Sequence, residues 1–147
     1  MGIMESIDMG AKALQVHGKR IDVHAKNIAN LDTPNYVRKI PVLTAVDDVS
    51  FHGLLNTMKE DAFSVGTMPY LQGGVNFSGV VEDPTLGQKI YKPGHPDADA
   101  DGYIRASNVN AMVDIADALV AQRAYEANLA LVNISKTMAQ RALEIGK

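Results

Sequence analysis

The apolar positions fall on helical rows at the two ends of the chain and on strand-like runs between them. Near the start, Ile7, Leu14, Ile21 and Ile28 recur every seven residues, with Met4, Ala11, Gly18 and Ala25 as a second row beside them. The three-four spacing puts both rows on one helix face and leaves Lys12, Lys19, Asp22 and Lys26 outside it, which predicts a coiled-coil seam. The second row is almost entirely Ala and Gly, so a partner backbone can approach closely there, although Gly18 costs ~1 kcal/mol of helix propensity relative to Ala. This helix must stop before Pro34.

From Val109 to Ile145 the helical signal returns, with Val113, Val120, Ala127 and Ile134 on one row and Ala124, Leu131, Met138 and Ile145 on the next. Ile115, Leu119, Leu129, Val132, Ala139 and Leu143 widen that stripe. A helix that is apolar around so much of its circumference needs several neighbours. At ~1.5 Å per residue the two rods measure roughly 40 and 55 Å, too long to be covered by the short segment between them.

That segment opens with a turn. Asp32 and Thr33 can bond nearby backbone, Pro34 fixes φ, and Asn35 tolerates a left-handed conformation. Val37 to Val46 is rich in β-branched residues and predicts a strand, with Pro41 marking an edge or a bulge. Phe51, Leu54, Leu55 and Met58 follow helical spacing, and Ser64 to Gly74 reads as a loop. Val75 to Glu82 and Gln88 to Lys92 are further strand candidates. The fold class is therefore α+β, in three parts: residues 1–36 as a first helix and turn, 37–105 as a small β-rich unit, and 106–147 as a second helix.

Composition narrows the function. The 147 residues are 46% hydrophobic and 21% charged with a net charge of −3, a balance that describes a soluble globular chain without the basic field that attracts nucleic acid. There is no cysteine, which excludes disulfides, thiolate catalysis and Cys-based zinc sites. Glu5 and Asp8 stand where a secretory signal would carry basic residues, and no apolar window reaches the ~18 residues of a membrane span.

Catalytic chemistry finds little support. No phosphate loop, nucleophile elbow or dinucleotide fingerprint is present. His17 and His24 lie ~10 Å apart along a helix, too far to share one ion, and read as polar residues flanking the seam. Asp97, Asp99, Asp101 and Gly102 occupy positions 1, 3, 5 and 6 of a calcium-loop pattern. Arg105 at position 9 and Asn108 at position 12 break that pattern, and the segment reads as an acidic turn before the second helix. No metal or cofactor is expected. Asn27 and Asn30, amides near a helix end, are expected to satisfy free backbone groups. Tyr125, Glu126 and Asn128 on the second helix need hydrogen-bond partners, and the end of the first helix is the expected one.

Two paired segments carry a family resemblance. Asn27-Ile-Ala-Asn30 followed by Thr33-Pro34-Asn35-Tyr36 resembles the N-terminal signature of bacterial flagellar rod and hook proteins, with Asn35 in the place of the usual glycine. Arg123-Ala-Tyr-Glu-Ala-Asn128 and Met138-Ala-Gln-Arg-Ala-Leu143 look like the C-terminal partner signature. Val80-Val-Glu-Asp-Pro84, the stretch from Pro93 to Tyr103, and Asn108-Val-Asn110 resemble the proximal-rod members.

The resemblance implies a non-enzymatic structural subunit of the basal-body rod. Its terminal helices would pack as an antiparallel coiled coil, the axial inner domain around the export channel, with the middle segment as an outer domain. Assembly would run through Ile7, Leu14, Ile21, Ile28, Asn27, Asn30, Thr33, Pro34 and Tyr36 on one side, and Val120, Arg123, Tyr125, Glu126, Asn128, Leu131, Ile134 and Met138 on the other. The implied partners are other proximal-rod proteins, the junction protein at the membrane ring, the distal rod protein and the flagellar type III export apparatus. The implied location is the periplasmic rod, reached without signal cleavage. A soluble coiled-coil adaptor or export chaperone would share the amphipathic ends but needs no paired signatures.

Overall fold

The computed structural model describes residues 3–45 and 74–145. The helix expected from Phe51 to Met58 and nearly all of the loop expected from Ser64 to Gly74 lie outside the described residues. The elements in order are α1 (Ile3–Ala29), β1 (Lys39–Ala45), β2 (Val75–Glu82), β3 (Lys89–Tyr91), β4 (Tyr103–Arg105) and α2 (Ala111–Ile145).

Each helix ends or begins where local chemistry dictates. α1 closes five residues ahead of Pro34, and the amide of Asn30 donates to the Lys26 carbonyl at 2.8 Å, satisfying one of the free carbonyls of the last turn. Asn110 caps α2: its Oδ1 accepts from the N–H groups of Met112 (3.1 Å) and Val113 (3.3 Å), the second and third residues of the helix.

β1 and β2 pair antiparallel from Lys39 opposite Glu82 to Ala45 opposite Val75, with a bulge between Val42 and Leu43. Pro41 is tolerated because, among the described residues, the sheet has two strands, so each has an edge without a strand neighbour. Lys19 on α1 lies 5.2 Å over the Phe77 ring and ties this sheet to the first helix. β3 and β4 form a second pair, in which Tyr91 and Tyr103 meet edge to face with centroids 5.1 Å apart. β4 has only three residues and no visible alternation, so the pattern of the chain did not predict it.

The acidic stretch from Asp97 to Asp101 belongs to the β3–β4 connection. Asp99 closes it: its Oδ1 accepts from the Tyr103 N–H at 2.8 Å, its backbone N–H donates to the Tyr103 carbonyl at 2.9 Å, and its carbonyl accepts from Gly102 at 2.9 Å. This carboxylate works as a turn-former.

α1 and α2 pack antiparallel, so that Gly10 meets Val132 at one end and Asn27 meets Asp114 at the other. The covered side of α2 runs through Asp114, Ala118, Ala121, Ala124, Asn128, Val132, Ser135 and Ala139, and Ala121 is completely buried. On α1 the buried positions are Gly10, Val16, Val23, His24 and Asn27.

This corrects the expected seam. Val113, Val120, Leu131, Ile134, Met138 and Ile145 are all exposed, and so are Ala11 and Ala25, while a side chain at Gly18 would point into open space. Ile7, Leu14, Ile21 and Ile28 are half-buried flanks. The physical reason is close approach. A Cβ placed on Gly10 would come within 2.5 Å of Val132 Cγ2, so the helices meet through small side chains, and the large apolar rows read as the seam are left on the outside.

Candidate assembly site

Asn27 is the last-turn residue of α1 that faces inward, and it is completely buried. Every hydrogen-bonding position of its amide is used. Nδ2 donates to the Lys39 carbonyl (2.7 Å) and to Asp114 Oδ1 (2.9 Å); Oδ1 accepts from the Lys39 N–H (2.9 Å) and the Tyr36 hydroxyl (3.1 Å). The side chain therefore acts as a strand partner for Lys39, fastening the start of β1 to the end of α1.

The turn between them makes this possible. Asn35 takes φ 61°, the left-handed conformation that Asn adopts more readily than other non-glycine residues, and its N–H donates to the Arg105 carbonyl at 2.8 Å. Thr33 Oγ1 donates to Asn30 Oδ1 at 3.2 Å, and the Tyr36 N–H returns to the Thr33 carbonyl at 3.3 Å. The chain reverses tightly enough to place Tyr36, Arg38 and Lys39 beside the helix they have just left.

Asp114, in the first turn of α2, is also completely buried. Its Oδ1 accepts from His24 Nδ1–H (2.8 Å) as well as from Asn27, and its Oδ2 accepts from Arg38 Nε (2.8 Å). Burial alone would push its pKa up, but the hydrogen bonds from Arg38, His24 and Asn27 together outweigh burial and hold it below the usual carboxylate range. Arg38 is held protonated by the same bond, and Asp83 (3.8 Å) and Asp117 (3.7 Å) flank its guanidinium. Burial, with Asp114 nearby, raises the Tyr36 hydroxyl pKa and keeps it a donor.

Asn108 completes the arrangement from the connection between β4 and α2. Its Oδ1 accepts from the Arg38 N–H (2.6 Å), and its Nδ2 donates to the carbonyls of Thr85 (2.7 Å) and Asp83 (3.3 Å). Six side chains, His24, Asn27, Tyr36, Arg38, Asn108 and Asp114, thus join α1, the turn, β1, the end of β2 and α2 at one point. A buried carboxylate is tolerated only when its oxygens are paired in this way.

The structure brings together only part of what the sequence singled out. Asn27 and Tyr36 belong to the clamp, while Asn30, Thr33 and Pro34 shape the turn beside it. Arg123, Tyr125, Glu126 and Asn128 are elsewhere. Asn128 Nδ2 donates to the Ala124 carbonyl on its own helix (2.9 Å), and Glu126 accepts from Gln122 (3.0 Å). The expected contact between Asn128 and the end of α1 does not form, because the antiparallel register sets Asn128 roughly 20 Å along the axis from Asp114, the residue that does meet Asn27.

Asp114 and Arg38 were not predicted as partners. Asp114 could have been found as a lone carboxylate between Val113 and Ile115 at a helix start. Its partner Arg38 is 76 residues away in sequence, and local spacing does not connect them.

His24 Nδ1 is spent on Asp114, and His17, whose Nδ1 has no hydrogen-bond partner among the described residues, has its pKa lowered by burial and by Arg20, so it is neutral at pH 7. Among the described residues no group of three or more His, Asp or Glu is placed to hold an ion.

The second feature is the outer face of α2. Val120, Leu131, Ile134 and Met138 are each more than half exposed, and with Val113 and Ile145 they form a stripe along most of the helix. Patches of this length on a small chain mark contact surfaces.

Comparison with known proteins identifies the setting. Residues 7–36 match the family model described as flagella basal body rod protein, and residues 100–145 match the C-terminal model of flagellar basal body rod FlgEFG proteins. The chain is 33% identical to the flagellar basal-body rod protein FlgC of Bacillus subtilis and 30% identical to that of Salmonella typhimurium, in both cases over the whole of each chain. A third full-length relative, FlgC of Buchnera aphidicola subsp. Baizongia pistaciae, is 31% identical. The two family matches contain the two halves of the clamp, Asn27 in the first and Asp114 in the second. The chain belongs to the family of bacterial flagellar basal-body rod proteins, with FlgC proteins among its full-length relatives, and is a structural subunit of the basal body and not an enzyme.

Proposed function

We propose that this subunit enters the rod through the outer face of α2, which seats on the terminal helices of neighbouring subunits. The observation that carries this reading is the exposed stripe of Val120, Leu131, Ile134 and Met138 on a helix whose opposite side is already packed on α1 by small residues. A surface used head-to-tail without a closing two-fold axis generates an open helical assembly. Continuous burial of such stripes makes a stiff shaft, because close-packed interiors deform little.

On this reading the antiparallel pair of helices is a short coiled-coil-like inner domain, residues 1–36 with 106–147, and residues 37–105 form the outer domain. Ile7, Leu14, Ile21 and Ile28, half-buried along the edge of α1, extend the contact surface. The shaft transmits motor torque and surrounds the export channel. The neighbours are other proximal-rod proteins, the junction protein at the membrane ring and the distal rod protein. The subunit reaches the periplasm through the flagellar type III apparatus.

The test is to replace Leu131, Ile134 and Met138 singly by Asp. Swimming and recovery of the subunit in purified basal bodies should be lost, while the helical circular dichroism of the free subunit stays at the parent value. Normal motility with all three variants would overturn the reading.

A further inference from the structure

We infer that the clamp of Asn27, His24, Arg38 and Asp114 is a register lock that restricts α1 and α2 to one antiparallel alignment. Beyond the clamp the covered side of α2 is uncharged, with Ala118, Ala121, Ala124, Asn128, Val132, Ser135 and Ala139. On the row of Asp114, Ala121, Asn128 and Ser135 a slip of one heptad, roughly 10 Å, exchanges short side chains for one another, while the neighbouring rows bring Tyr125 to the place of Ala118 or Val132 and Leu131 or Asp117 to that of Ala124. The greatest loss falls on Asp114. In either slipped alignment it loses Asn27, His24 and Arg38, and a buried carboxylate without partners is strongly disfavoured. Buried polar pairs that fix the alignment of helices act by this physics. The consequence reaches the outside of the molecule, because the lock sets where the exposed stripe of α2 stands relative to α1 and to the β1–β2 sheet. It does so whatever binds the stripe.

The absence of cysteine allows a direct test. An ideal Cβ on Gly10 lies 3.9 Å from Val132 Cβ, within the range for a disulfide. Gly10→Cys with Val132→Cys reports the observed alignment. Gly10→Cys with Tyr125→Cys, or with Ala139→Cys, reports a slip of one heptad in either direction. These last two also carry Val132→Ala, so that the new side chain at position 10 has room.

Cross-linking yields are read in a glutathione buffer on the full chain. In the parent background the observed-alignment pair should form at least tenfold more disulfide than either slipped pair. With Asn27→Leu and Asp114→Leu the slipped pairs should rise to within about threefold of it. If that double variant fails to fold by circular dichroism, Asp114→Asn takes its place, and slipped yields above the parent are expected. Slipped yields that stay at the parent level in the folded background would overturn the lock.

Discussion

Asp114 concentrates the energetics of the molecule at one side chain. Removing one partner of a buried, hydrogen-bonded ion pair strands the other, at a cost of about 3 to 5 kcal/mol. Asp114→Ala should therefore destabilise by about 3 kcal/mol or more in urea unfolding at pH 7, most of it from leaving Arg38 Nε and one of the two Asn27 Nδ2 hydrogens without an acceptor. Acid should act on the same group. The folded-state pKa of Asp114 lies below its unfolded value, so the unfolded chain takes up the proton first as pH falls. The stability from the ionised carboxylate is whole above the unfolded value of about 4 and is lost as pH falls through the folded value. Asp114→Asn should accordingly narrow the gap in urea midpoint between pH 7 and pH 3 relative to the parent. Asn35, at φ 61°, gives a second residue-scale contrast. Asn35→Gly should stay within about 0.5 kcal/mol of the parent, whereas Asn35→Val should cost about 1 to 2 kcal/mol by forcing a β-branched residue into the left-handed region. Thermal denaturation of the two variants side by side distinguishes them.

At the scale of elements, the helix pair separates what is packed from what is offered. Gly10→Ala normally gains about 1 kcal/mol in a helix, but here the new methyl meets Val132 Cγ2. The substitution should be destabilising, and Val132→Ala in the same chain should recover most of the loss; equal melting temperatures for Gly10→Ala and the parent would contradict the packing. Leu131→Ala, on the exposed face, should change free-subunit stability by less than about 0.5 kcal/mol. The strands β1 and β2 were legible in the sequence because β-branched runs and Pro41 mark them, and the end of α1 because Pro34 marks it, whereas the Asn110 cap of α2 emerged only from the structure. The packed face was not legible. Heptad rows of Leu, Ile, Val and Met look the same whether they bury within a chain or between chains, and here the intramolecular contact is made by Ala, Gly, Ser and Val together with polar residues of the clamp. The clamp was half legible: Asn27 and Tyr36 stand in a recognisable signature, while Asp114 and Arg38 meet only through the fold.

The described residues form two long helices fastened to small antiparallel sheets by a polar clamp, with the apolar stripe of α2 turned outward. In a monomer such a surface is a liability, and in an assembly of rod subunits it is the means of contact. The division of labour follows: polar groups fix the internal geometry, and apolar groups supply adhesion to neighbours. The measurement that tests this most directly is cryo-electron microscopy of purified basal bodies at side-chain resolution. The account predicts that Leu131, Ile134 and Met138 of α2 are buried against helices of adjacent rod subunits, with Asn27 and Asp114 still in contact within the chain. Rod density in which that stripe faces solvent, or in which neighbours contact only the β1–β2 sheet, would contradict it.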